Sequence, residues 1–239
     1  MAGNGSAVVR IDHGVVPSND LGKSLIFFTK VLGGQFNMLV NANLRGLNHE
    51  VPEMAFFTLA NHRGFGAALQ DQVIVEPIRA QEGPVWGLEI NEQGIQGVVE
   101  KLRSREVRFE GPVEYPAPSP IASSIFIEDP HRFVFELSVR RDEKKSNQPG
   151  QGDLGLRRIG HVRLEVTDLE TARKWYKETL GLEDADQVPG ENQLTLQVGE
   201  TGQLFILRKV NEMTQRSHYC RGPHVDVRLA AGTYHDFVP

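Results

Sequence analysis

At 239 residues the chain is long enough for one large or two medium domains, each with its own core. Hydrophobic residues at 39% and charged residues at 24% describe a globular chain, and a net charge of −5 offers no basic field to a nucleic acid. The lone cysteine, Cys220, excludes an intrachain disulfide and a CxxC zinc site, and no apolar run approaches the roughly 20 residues that span a bilayer. The first residues, MAGNGSAVVR, lack the basic patch and apolar stretch of a signal peptide. The expectation is a soluble cytoplasmic protein with a small-molecule substrate, no nucleic-acid or membrane partner, and self-association left open.

In chain order, IDHGVVPSNDLGKSLIFFTKVLGG (11–34) begins as a strand carrying His13. Asp20 then caps a helix, Phe27 and Phe28 lie within it, and Gly33 stops it. QFNMLVNA, EMAFFTLA and GFGAALQ follow as short strands. PVWGLEI (84–90) reads as a strand and IQGVVEKLRS (95–104) as a helix. SSIFIEDPHRFVFELSV (123–139) reads as two strands about a turn at Asp129–Pro130. In its second strand Phe133, Phe135, Leu137 and Val139 take one face, leaving Glu136 on the other with Val134 and Ser138. Residues 140–158 are charged and rich in Gly and Pro, the composition of a linker.

A second capped unit follows. In IGHVRLEV, Val162, Leu164 and Val166 alternate with His161, Arg163 and Glu165, as in a half-buried strand. Asp168 caps the next helix, Leu169, Ala172, Tyr176 and Leu180 form its buried stripe, and Gly181 ends it. NQLTLQV and QLFILR are strands, and GPHVDVRL starts one more, with His224, Asp226 and Arg228 on one face. A shift of 148 residues lays Arg10, Ile11, His13, Asp20, Leu21, Leu32 and Gly33 on Arg158, Ile159, His161, Asp168, Leu169, Leu180 and Gly181. Phe27 and Phe28 fall on Trp175 and Tyr176, and such matching marks an internal repeat. The chain thus reads as three strand–helix–strand–strand–strand units and a fraction of a fourth. The expected division is a first module of two units at 1–141, a linker at 142–157, and a second module at 158–239.

A strand carrying His, then Asp-Leu, an aromatic pair and Leu-Gly-Gly or Leu-Gly-Leu resembles the vicinal oxygen chelate superfamily. That group includes glyoxalases, type I extradiol dioxygenases, and the bleomycin- and fosfomycin-resistance proteins. The resemblance implies an α+β fold of repeated βαβββ units paired into cupped mixed sheets, here with the last unit incomplete. It also implies a divalent metal in a cup, Fe(II) first and Mn(II) or Zn(II) as alternatives. Ligands come from first strands and from the last strand of one or both units. By this likeness His161 and His224 are the metal ligands of the second module, and His13 with Glu136 forms a lesser set in the first. The first module's partner strand offers only Val85 or Trp86, and Gln70 or Ala68 stands where a further ligand would be expected. The plainer reading of His13 and Glu136 is a hydrogen-bonded pair or a substrate contact, without metal. No last-strand carboxylate follows His224 in this sequence, so the natural product is expected to continue beyond Pro239. His62 and His131 are expected in exposed turns, Cys220 as an inert thiol, and no catalytic residue is assigned. The implied function is metal-dependent ring cleavage of a catechol-like substrate. The alternatives are glyoxalase-like isomerase or lyase chemistry, and metal-free binding of a small molecule, for which Trp86 in place of a ligand is the argument.

Overall fold

The computed structural model describes residues 7–41, 52–59, 62–69, 83–91, 94–141, 149–213 and 224–230. The first unit is β1 (Val8–Ser18), α1 (Leu21–Ile26), β2 (Gln35–Asn41), β3 (Pro52–Leu59) and β4 (His62–Leu69). The second is β5 (Val85–Ile90), α2 (Gly94–Ser104), β6 (Phe109–Glu114), β7 (Ile121–Glu128) and β8 (Val134–Arg140). The third is β9 (Leu156–Val166), α3 (Leu169–Leu180), β10 (Glu183–Asp184), β11 (Gln193–Val198) and β12 (Gln203–Lys209), after which β13 (His224–Leu229) stands alone. No helix among the described residues is long and apolar enough to cross a membrane.

Local chemistry sets these boundaries. The carboxylates of Asp20 and Asp168 accept the backbone N–H of Lys23 and Thr171, occupying donors that a helix start leaves unpaired. Gly181 ends α3 with φ 69°, a left-handed conformation that costs glycine nothing. Past α1 the chain continues as a π-helical turn over Phe27–Val31, which buries Phe27 and Phe28. β1 and β9 are both 11 residues long, and the 148-residue shift places His13 and His161 at the same point in each. A β-bulge precedes each histidine, at Asp12 in β1 and at Gly160 in β9.

Every unit closes in one way: its first strand runs parallel to its last, and the remaining strands meander antiparallel. The units then join first strand to first strand. β9 pairs antiparallel with β5, giving an eight-stranded sheet in the order β10-β11-β12-β9-β5-β8-β7-β6. β13 pairs antiparallel with β1, giving a five-stranded sheet in the order β13-β1-β4-β3-β2. This corrects the expected modules. The second unit shares its sheet with the third, not with the first, and the first shares its own with β13. The physical reason is that alternation decides which face a strand buries but not which neighbour it pairs with.

The core lies between the sheets. Trp86 projects from β5 onto Gly14 of β1, where an added Cβ would sit 2.3 Å from the indole Cη2. Its ring meets Phe65 edge-on at 4.9 Å between centroids, and Phe65 meets Phe135 of the other sheet at 5.4 Å. Phe28 stacks on Phe57 at 4.6 Å and completes the aromatic centre. Leu169, Ala172, Tyr176 and Leu180 of α3 pack on the same core, the stripe their spacing implies.

Candidate functional site

Each sheet turns a polar-bearing face away from this core, and the two faces differ in kind. On the eight-stranded sheet, β5 brings Gly87 opposite His161 of β9 on one side and Glu136 of β8 on the other. Gly87 has no side chain, so the His161 ring lies over it; a Cβ there would be 2.1 to 2.3 Å from three ring atoms. The imidazole thereby crosses an intervening strand, and its Nε2 reaches Oε2 of Glu136 at 3.1 Å. Arg163 donates from Nη2 to the same oxygen at 3.2 Å, and Ser124 donates its hydroxyl to Oε1 at 2.5 Å. His161 and Glu136 are wholly buried and Arg163 nearly so.

Burial alone would raise the Glu136 carboxyl, but the charges of His161 and Arg163 and the Ser124 hydrogen bond outweigh it and hold the group down to about 2. Tyr115 is pushed up by its own burial and by the negative charge of Glu136, against the opposing charge of Arg163 and a hydrogen bond to Ser124. Small apolar clusters flank this network, and the same strands also bury Glu89, Ser138 and Glu165. Val85 packs with Phe126 and Val134, and Leu204 and Ile206 pack with Ile121 and Val188. Leu204 and Ile206 are the β12 partners of His161 and Arg163, so β12 adds no ligand. A single imidazole and a carboxylate already engaged by a guanidinium and a hydroxyl do not fit a divalent metal. This cup is closed upon its own ion pair.

The five-stranded sheet presents an open counterpart. His13 of β1 pairs across the junction with Asp226 of β13, and its Nε2 lies 3.0 Å from Oδ2 of Asp226. The bulge at Asp12 turns that side chain to the ring's other edge, with Oδ2 3.3 Å from Nδ1. Arg10 donates to Asp12 at 2.8 Å, and this bond together with His13 lowers the Asp12 carboxyl despite the opposing effect of burial. A cleft of about 460 Å³ opens here, lined by Asp12, His13, Asn37, Met38 and Phe56. The Phe56 ring meets the imidazole edge-on at 6.3 Å. His224 takes the β13 position opposite Val15, two residues before Asp226; its side chain lies outside the described residues. β4 brings Gly66 opposite Val15 and carries no carboxylate. Among the described residues no three His, Cys, Asp or Glu side chains gather about one point.

The residues singled out in the sequence are therefore redistributed. His161 and His224 are not brought together, because they stand on different sheets. Glu136 does not meet His13; it meets His161. His13 and His224 instead share the β1–β13 junction. Trp86 faces the aromatic core and not a cup, so it replaces no ligand, and Val85 is the cup-facing residue of β5. Ala68 lies opposite Pro17, and Gln70 falls outside the described residues. His131 is buried, not exposed, with Nε2 3.1 Å from the hydroxyls of both Ser18 and Ser24. Arg163, Ser124, Tyr115, Asp12 and Asp226 were missed as site residues. The alternation that placed His161 and His224 also puts Arg163 and Asp226 on their faces, and that signal was available.

Residues 158–231, from β9 to the end of β13, match the model of the glyoxalase/bleomycin resistance protein/dioxygenase superfamily. A 53-residue stretch is 43% identical to mitochondrial methylmalonyl-CoA epimerase of Bos taurus, covering 22% of this chain and 30% of that relative. Among solved structures, a putative dioxygenase from Bacillus subtilis superposes with a TM-score of 0.64 at 13% identity, over 88% of this chain and 66% of its own. Glyoxalase I from Zea mays superposes with a TM-score of 0.58 at 18% identity, over 87% of this chain and 70% of its own. The chain thus spans less than two thirds of both the epimerase and the dioxygenase.

Proposed function

From the match of residues 158–231 to the glyoxalase/bleomycin resistance protein/dioxygenase superfamily, we propose a metal-dependent enzyme of the vicinal oxygen chelate kind that binds a catechol-like substrate in the open cup and cleaves its ring. The observation that carries this reading is the convergence of His13 and Asp226, 3.0 Å apart, at the open cleft, while the other cup is closed. An imidazole nitrogen and a carboxylate oxygen addressing one point fit a divalent metal. His13, Asp226 and His224 would make the two-histidine, one-carboxylate set, with Asp226 supplying the carboxylate that β4 lacks. Fe(II) there, or Mn(II) or Zn(II), would contribute a positive charge that favours deprotonation of two adjacent substrate hydroxyls.

The chain's own residues prepare that site. A metal at Nε2 would require the ring proton on Nδ1, where Asp12 is placed to accept it and to fix the direction of the ring. Met38 and Phe56 give apolar walls suited to an aromatic ring, and Asn37 offers an amide to a ring substituent. The test is oxygen uptake by the Fe(II)-loaded protein with catechol. Uptake coupled to a ring-opened product, and lost by about 100-fold in H13A, is the expected result. Absence of uptake in metal-replete wild type rejects ring cleavage.

A second reading, metal-assisted proton transfer next to a carbonyl, is favoured by the stretch shared with methylmalonyl-CoA epimerase and by the Asp12–His13 pair, which suits a general base. Deuterium uptake from solvent into a methylmalonyl thioester, without oxygen consumption, would support it over the first.

A further inference from the structure

The closed cup has its own cation. We infer that Arg163 holds the place of a metal ion in the eight-stranded sheet, making this cup a metal-independent junction between the second and third units. The inference stands on the geometry of the closed cup alone and does not require the open cup to bind anything.

A carboxylate with no exposure, such as that of Glu136, needs a compensating positive charge nearby. Arg163 Nη2 and His161 Nε2 converge on Oε2 at 3.2 and 3.1 Å, and the Ser124 hydroxyl takes Oε1. Both carboxylate oxygens are thus engaged by protein groups. A metal ion would have to displace the guanidinium of a residue that is itself only 4% exposed. Its β12 partner is Ile206 and its β5 partner is Val85, neither of which could ligate an incoming ion.

Comparison within the chain isolates the deciding residue. The 148-residue shift that carries His13 onto His161 carries Val15 onto Arg163. The open cup therefore has a histidine at the same point on the strand and a valine where the closed cup has Arg163; its cross-strand neighbour is the carboxylate of Asp226, and the guanidinium of Arg10 is engaged by Asp12. One cup is built around a fixed cation and the other around anionic and neutral donors. In the closed cup the cation joins β9 of the third unit to β8 of the second, across β5.

The experiment removes the guanidinium and asks whether a metal takes its place, with Co(II) as probe. It is run in the H13A/H224A protein, so that the open cup contributes no imidazole. With Arg163 present, Co(II) should produce no visible ligand-field band and shift the unfolding midpoint by less than about 1 °C. With R163M the midpoint should fall in the absence of metal. It should then rise by about 5 °C at saturating Co(II), with a band that E136Q abolishes. R163K keeps the charge and should fold and remain insensitive to Co(II), which preserves the test if R163M does not fold. A Co(II) band in the Arg163 protein that E136Q removes, an R163M protein indifferent to Co(II), or an R163K protein that binds it would each overturn the inference.

Discussion

Gly87 and His161 face each other across the β5–β9 junction, and the imidazole occupies the volume that any side chain at position 87 would need. Both ends of the His161–Glu136 contact depend on that vacancy, since the ring reaches Glu136 over the glycine. Overpacking a buried site without escape costs about 1 to 3 kcal/mol. Gly87→Ala should therefore destabilise the protein by that amount in urea unfolding and displace the His161 resonance in an NMR spectrum. Unchanged stability with an unmoved ring would contradict the packing described.

Glu136 predicts a pH dependence of definite sign. Its carboxyl ordinarily titrates at 4.5 and is held at about 2 in the fold, so the folded state binds this proton less readily than the unfolded chain does. The contribution is complete above pH 4.5 and is lost as pH falls from there toward 2. Its size is at most about 3 kcal/mol. Glu136→Gln should flatten stability against pH in that window. It should also cost about 3 to 5 kcal/mol at neutral pH, because Arg163 is left buried without its carboxylate. Parallel denaturant titrations from pH 2 to 7 check both effects.

Trp86 fixes the two sheets to each other through Gly14, Phe65 and the Phe135 beyond it. Trp86→Ala should cost about 3 to 5 kcal/mol, with Trp86→Phe recovering part of that. Chemical unfolding followed separately on each sheet should show both losing stability together. A loss confined to the eight-stranded sheet would contradict the shared core.

Asp12 predicts a graded effect in the open cup. It touches the far edge of the His13 ring and acts only through it. Asp12→Asn should weaken metal binding by about 10- to 100-fold without abolishing it, and equilibrium dialysis against Mn(II) reads this directly.

Much of the fold was legible because it is locally encoded. Asp20, Asp168 and Gly181 act within one helical turn of themselves, and the alternation around His161 and Glu136 is a property of single strands. The α+β class and the superfamily likeness follow from those local features. Strand partnership does not. β5 and β13 both present an apolar face to the core and are first strands of their units, so either could join β1 or β9 on pattern alone. Hence the face of Glu136 was readable while its partner was not, and His161 was set with His224 when it belongs with Glu136. The one-residue ambiguity between Val85 and Trp86 is resolved by contacts from other strands, with Trp86 set against Gly14 and Phe65 and the His161 ring filling the empty position of Gly87. His131 illustrates the same limit, since a turn residue is buried when hydroxyls from another unit close over it.

The division of labour between the cups is tested most directly by metal stoichiometry in three proteins, wild type, H13A and E136Q, each dialysed against Mn(II) and analysed for bound metal. The open-cup account predicts one ion per chain in wild type, none in H13A, and one still in E136Q. Loss of the ion in E136Q with retention in H13A would contradict it and place the metal in the cup described here as closed.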